Sequence, residues 1–286
     1  MTSDSRPTTL HDQTYRRYTG ARLAPGAAWA VIALTGLRGL VRKKFFLVVM
    51  LFSWAQFVVR AVMLYLAANL PQVDVLAPTP EMFREFFEQQ GFFVFVVTVY
   101  VGAGLISTDR RVNALQIYLS KPLTRVEYIA GKLAILFALL LVVTWLPAMM
   151  LLLLQVVFAG DMTFLRENLF LVPAMTLFGL LYALMVSFTM LALSSLATSA
   201  RYAAVLYAGA LLFTEAIFGI LRGVTGSSAL SWMSFRANLA QVGDLLFQVP
   251  PRYDTPWPVS LAVVIGVIAV SVWVLERRVR GVEVVT

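Results

Sequence analysis

The sequence predicts an all-α integral membrane protein with six transmembrane helices. Three observations carry that expectation. Hydrophobic residues make up 60% of the 286 positions and charged ones 13%, with a mean hydropathy of +0.81. Soluble domains carry about 25% charged residues. The apolar residues fall into six runs near the ~20 residues that cross a bilayer, at 45–66, 92–106, 133–158, 169–196, 202–221 and 258–275. Lys and Arg are unevenly shared between the connecting segments: 17 of the 23 fall on one side if both termini share a side. Basic short loops face the cytoplasm, so both termini are expected inside, in a plasma (inner) membrane.

Residues 1–24 are polar, without the apolar core of a signal peptide, and are expected to form a disordered cytoplasmic tail. The membrane domain follows over 25–280, with a cytoplasmic tail at 281–286. Pro25 to Lys44 is apolar for ten residues and then basic, at Arg38, Arg42, Lys43 and Lys44. It reads as an amphipathic helix in the inner interface, or else as an extension of the first span. The first span carries Gln56 and Arg60. An outer acidic segment with Asp74, Glu81, Glu85 and Glu88 follows, in which Thr79-Pro80 reads as a helix N-cap and first turn. Pro147 lies inside the third span, where it should kink the helix, and Pro173 interrupts the fourth. Residues 222–257 are moderately polar but rich in large apolar side chains, such as Leu230, Trp232, Phe235 and Phe247. They are expected to form one or two short helices that dip into the outer interface.

Between the second and third spans lies the most informative stretch, Ser107 to Lys132, with five Lys or Arg residues. Asp109 reads as an N-cap. Val112, Leu115 and Leu119 follow at helical spacing. Ser120-Lys121-Pro122 stops that helix, and Thr124 with Glu127 has the spacing of a capping box for the next. By its residues alone this is an amphipathic helix lying either on anionic head groups or on a partner.

Several chemistries lack their residues. There is no cysteine, and the single histidine, His11, is in the polar N-terminal stretch. Disulfides, thiolate metal sites and bis-histidine haem are therefore excluded. No Gly-x-x-x-x-Gly-Lys-Ser/Thr phosphate loop occurs. No Ser/His/Asp set or paired intramembrane carboxylates suggest an enzyme, and no cofactor is expected on this chain. The net charge of +8 flanks spans and forms no groove, so nucleic acid is not an expected partner.

The order Asp109, the apolar helix through Leu115 to Leu119, Ser120-Lys121-Pro122-Leu123-Thr124-Arg125, Tyr128 and Gly131-Lys132 resembles the membrane subunits of type 2 ATP-binding-cassette (ABC) exporters. It departs from them at Asn113-Ala114, where the family often has Gly-Thr, and at Asp109, often Glu. The resemblance implies a permease subunit paired with a second copy or homologue, with ATP and Mg on separate ATPase subunits. It also implies an N-terminal elbow helix, a re-entrant element between spans 5 and 6, and a coupling helix that docks on the ATPase. The implied contacts are Asp109, Arg110, Arg111, Val112, Leu115, Tyr118 and Leu119. In such a dimer, Phe95, Tyr100, Tyr207 and Phe213 on spans 2 and 5 would line a substrate cavity, or else pack against lipid and neighbouring helices. The alternatives are an ABC-linked subunit that transmits force or a signal without transport, and an intramembrane lipid-modifying enzyme.

Two charges lie deep in the spans. Arg60 is the sixteenth residue from Phe45, and Glu215 the fourteenth from Tyr202. At about 1.5 Å per residue both sit roughly 20 Å from the inner boundary. An isolated intramembrane Arg costs about 2.5 kcal/mol or more. An ion pair between them, within one subunit or across a dimer, is therefore expected, unless each snorkels to the head groups.

Overall fold

The computed structural model describes residues 27–69, 78–112 and 124–279. The expected tails, and Leu115, Tyr118 and Leu119 of the expected coupling helix, lie outside the described residues. Within them the chain is helical, and six helices are long and apolar enough to cross a membrane: Lys44–Asn69, Pro80–Arg111, Arg125–Ala159, Leu171–Leu196, Ala200–Thr225 and Trp257–Arg278. The bundle has a basic end, where Arg111, Arg125 and Arg278 terminate spans. Its opposite, acidic end carries Glu81, Glu85 and Glu88.

Two spans are longer than their apolar runs suggest. The acidic helix Pro80–Gln89 begins with Thr79, whose hydroxyl accepts from the Met82 N–H. It does not stop at Gly91, because Gln90 keeps helical dihedrals and the helix continues through Gly91–Val97. After a π-helical turn at Thr98–Gly102 it continues again over Gly104–Arg111. At about 1.5 Å per residue this rod is close to 48 Å long, more than the ~30 Å hydrocarbon core. The rod is therefore long enough for its acidic turns to reach past the hydrocarbon core. The third span starts at Arg125 because the expected capping box forms: the Thr124 side chain accepts from the Glu127 N–H, and the Glu127 carboxylate accepts from the Thr124 N–H at 2.9 Å.

Three breaks follow local chemistry. The third span bends at Thr144, which leaves the regular helix at φ −111°, ψ −68°. Pro147, three residues on, has no N–H for the preceding turn. The first span breaks at Trp54, with no proline nearby. There the buried Gln90 side chain donates to the Ser53 carbonyl at 3.1 Å, and a side chain that takes over a ladder carbonyl bends a helix. Pro173 interrupts nothing. It is the third residue of Leu171–Leu196, where a missing N–H removes no intrahelical bond.

Lipid tails are as apolar as leucine, so contacts between spans rest on close approach and hydrogen bonds. The N-terminal helix Ala28–Val41 packs along the third span. It comes so close at Gly131 that a Cβ there would sit 2.8 Å from the Ile32 Cβ and 2.9 Å from the Trp29 carbonyl oxygen. Gly102, in the π-helical turn, allows a similar approach to Met190 of the fourth span. Around these contacts lies a buried cluster that includes Val97, Leu136, Leu140 and Met190. Toward the acidic end a second, aromatic cluster holds Phe83, Phe86, Phe87, Phe178 and Phe247. Spans 1 and 5 are the least buried. The long segment after the fifth span folds as a 3-10 turn, Ser231–Met233, and a helix, Phe235–Leu246. That helix packs on the fourth and sixth spans, and Ala237, Asn238, Gln241 and Asp244 are buried in it.

Candidate functional site

At the basic end, the second and third spans are joined where the 113–123 segment leaves and returns. Asp109 is not an N-cap. It lies inside Gly104–Arg111, because the second span stays helical past the predicted boundary. Its carboxylate accepts from the Tyr128 hydroxyl at 2.8 Å and pairs with Lys132 Nζ at 2.7 Å. Lys132 also stands 5.5 Å from the centre of the Tyr128 ring. Tyr128 is fully buried, and the Asp109 and Lys132 side chains retain under a fifth of their exposure. Arg110 donates to the Ser195 carbonyl, which ties the second span to the fourth. One turn deeper, the Ser194 hydroxyl accepts from the Ile106 and Ser107 N–H groups at 3.2 and 3.0 Å and donates to the Ala103 carbonyl at 2.8 Å. Arg111 and Val112, by contrast, are exposed. The predicted contact residues thus divide into an inward-facing joint, Asp109 and Arg110, and an outward-facing pair, Arg111 and Val112.

At the acidic end, helices distant in sequence meet through charge. Arg84 donates to Asp244 at 2.6 Å and to Glu81 at 3.0 Å. Asp244 is buried, and it also receives Arg252 through its guanidinium and its backbone N–H, at 3.0 to 3.1 Å. Arg252 pairs with Glu88 as well. Burial alone would weaken the proton's hold on Arg252, but the hydrogen bonds to Glu88 and Asp244 outweigh it and raise its pKa. A second latch closes the same loop. Asp254 accepts from the Ser228 hydroxyl at 2.7 Å and the Ser228 N–H at 3.0 Å. The Ser228 side-chain bond, followed by the backbone bond, holds its carboxyl below the ordinary carboxylate range.

Arg60 and Glu215 are not paired within the chain. Arg60 instead bonds Glu85 at 2.9 Å, because the second span stays helical past its apolar run and brings its acidic turns over the first. Glu215 accepts from the Ser234 hydroxyl at 2.6 Å, and Ser234 in turn accepts from the Ala237 N–H. That hydroxyl comes from the segment after the fifth span, where short helices were expected but their contacts were not.

Between the second, fourth and fifth spans and the helix Phe235–Leu246 lies a cavity of about 750 Å³. Phe95 and Tyr207 line it, stacked at 6.0 Å with 18° between their planes. Tyr100 and Phe213 do not line this cavity, which lies within one chain and is not the expected one between two subunits. Tyr100 turns to Phe45 at 5.1 Å, and Phe213 is 67% exposed on the outer face of the fifth span. They lie about a turn and a half along their helices from Phe95 and Tyr207, on other faces. The structure adds Tyr182, Glu215, Arg236 and Tyr253 to the wall. Sequence reasoning missed the charge cluster and most of this wall. The i, i+3 and i, i+4 spacing of Glu81, Arg84 and Glu88 was a readable signal, but nothing local points to Asp244, 160 residues away. Among the described residues, no three His, Asp or Glu side chains converge as a metal site would need.

Six helices long and apolar enough to cross a membrane, joined at one end by a basic connection, define a multi-span membrane protein. The sequence model of the ABC-2 family transporter protein matches residues 30–253, and the chain belongs to that family. It is a membrane permease subunit of an ABC transporter. No curated protein matches the chain significantly.

Proposed function

We propose that the chain is the permease of an exporter in which ATP is hydrolysed on a separate ATPase subunit. Two permeases, this chain with a second copy or a homologue, would assemble through the weakly buried spans 1 and 5. The basic end faces the cytoplasm of a plasma membrane, in keeping with its Lys and Arg, and both termini lie there. The N-terminal helix Ala28–Val41 acts as the elbow, and Phe235–Leu246 as the re-entrant element. Val112, Leu115, Tyr118 and Leu119 contact the ATPase, with Arg111 beside them. ATP and Mg belong to that partner.

The observation that carries this reading is the joint around Asp109. A short connection whose two roots are clamped by Asp109, Lys132 and Tyr128 transmits a push on the loop to both spans. The test is cysteine crosslinking at 112, 115 and 119 in membranes. The expected result is a product with an ABC ATPase, and Leu115→Asp should abolish it while ATP hydrolysis is uncoupled from transport. Crosslinks to lipid alone would sink the docking assignment. Co-purification of the ATPase without flux of any substrate would favour a subunit that transmits force or a signal instead.

A further inference from the structure

The cavity is open on one side. Spans 2 and 5 approach closely over 98–111 and hardly at all over Gly91–Val97. The stacked rings of Phe95 and Tyr207 mark where they part. Beyond that pair, toward the acidic end, Phe92 and Leu212 flank the gap. Both line the cavity, and both are exposed on the outside of the bundle, at 68% and 71%. The gap stands inside the membrane. Gln90, two residues from Phe92, bonds the Ser53 carbonyl, and Ser53 is nine residues from Lys44, where the first span begins. At about 1.5 Å per residue that is roughly 14 Å, near the middle of the ~30 Å hydrocarbon core. Toward the stacked pair the wall is aliphatic, with Val94, Met185, Val186 and Leu211. Its charged members, Glu88, Glu215, Arg236 and Arg252, are two carboxylates and two guanidiniums and favour neither sign of ligand.

We propose that the gap is a lateral portal and that the cavity holds a hydrocarbon chain of a membrane lipid, which enters between spans 2 and 5. Apolar cavities stay dry, and an empty one forfeits the dispersion contacts of its lining. The medium at that depth is lipid tails, as apolar as leucine, so a cavity open to them fills with a chain rather than with water. The volume, about 750 Å³, lies in the ~300–1,000 Å³ range of small-molecule sites. Recognition rests on the chain, and the head group stays at the acidic end, where opposite charges balance. The inference goes beyond the permease reading and does not depend on it, because a lipid occupies the site whether or not it is moved. A second permease on spans 1 and 5 would border the same gap and is the rival occupant.

The test uses the purified full-length chain in nanodiscs containing phosphatidylcholine with a diazirine midway along one acyl chain. After illumination, the labelled residues are mapped by mass spectrometry. Val94, Met185 and Val186 are buried, and so are Leu136 and Leu140 in the core between spans. Label is expected on the first three about tenfold or more above the other two. Leu212→Trp, at an exposed position, narrows the portal and should cut that label about fivefold or more. Label at exposed Val270 of the sixth span should stay unchanged, the sign of a folded, lipid-embedded chain. Phosphatidic acid and a trimethylammonium-headed diacyl lipid with the same diazirine should label the wall to within about threefold of phosphatidylcholine. Label confined to exposed positions would overturn the site. Undiminished label in Leu212→Trp would overturn the lateral route, and label from one head group alone would overturn recognition by the chain. The sequence has no cysteine, so a cysteine introduced at 92 or 212 reports on the rival. Crosslinking there to a second copy, with Val94 and Val186 unlabelled, would make the gap a subunit seam and overturn the portal.

Discussion

Arg60 was legible as a deep charge that needs a partner and Asp109 as a helix N-cap, and in both the partner came from an element whose length the sequence understated. Arg60 bonds Glu85 because the second span outlasts its apolar run. A charge swap checks this. Arg60→Glu should impair assembly, and Glu85→Arg should restore part of it while Glu215→Arg should not; rescue by position 215 would place the pair across a dimer instead. At the other end, Asp109→Asn leaves Lys132 nearly buried without its carboxylate. Removing one partner of a buried pair costs about 3–5 kcal/mol; discounted for the residual exposure, about 2 kcal/mol is expected. The thermal unfolding midpoint of the purified chain should fall by several degrees. Asp109→Glu, the residue the resembling exporters often carry there, should keep most of the stability.

Helices and their contacts depend on single atoms at close approach. Gly131→Leu would drive its side chain into the Trp29 carbonyl, which cannot move aside as a flexible side chain would. Overpacking of this kind costs about 1–3 kcal/mol. The N-terminal helix should detach, seen as faster amide exchange over Ala28–Val41 with the remaining spans still protected. The loop latch makes a pH prediction. The folded-state pKa of Asp254 is depressed relative to the unfolded chain. Its contribution is therefore fully present above the unfolded value and is lost as pH falls through the folded one. Amide exchange at Ser228 should stay slow near neutrality and quicken only in acid. In Asp254→Asn it should be fast, with little pH dependence beyond the intrinsic rate.

For the whole molecule, the proposed orientation predicts which surfaces meet water on each side. Cysteines at Asp161 and Ser227 should react with an impermeant reagent added outside, and one at Thr124 should not; labelling of 124 from outside would invert the assignment. The charge cluster at the acidic end ties Pro80–Gln89 to Phe235–Leu246. Asp244→Asn should therefore destabilise the whole acidic end by about 3 kcal/mol or more, since two guanidiniums lose a buried carboxylate. A loss confined to residues 244–256 in exchange experiments would show that the cluster holds only its own loop.

Six apolar runs, their basic and acidic flanks, the capping box at Thr124 and the proline at 147 were all decided by the sequence. Each depends on composition or on residues a few positions apart, which local backbone chemistry reads directly. The tertiary structure decided what happens between runs. It carried the second span through Gln90 into the acidic turns, and it bent the first span at Trp54 with a side chain from position 90. It gave Arg60 to Glu85 and Glu215 to Ser234, and it set Phe95 and Tyr207 side by side in the wall of a cavity within the chain. A charge in low dielectric takes whichever partner the packing brings within hydrogen-bond reach, and that partner can be 160 residues away, as Asp244 is from Arg84.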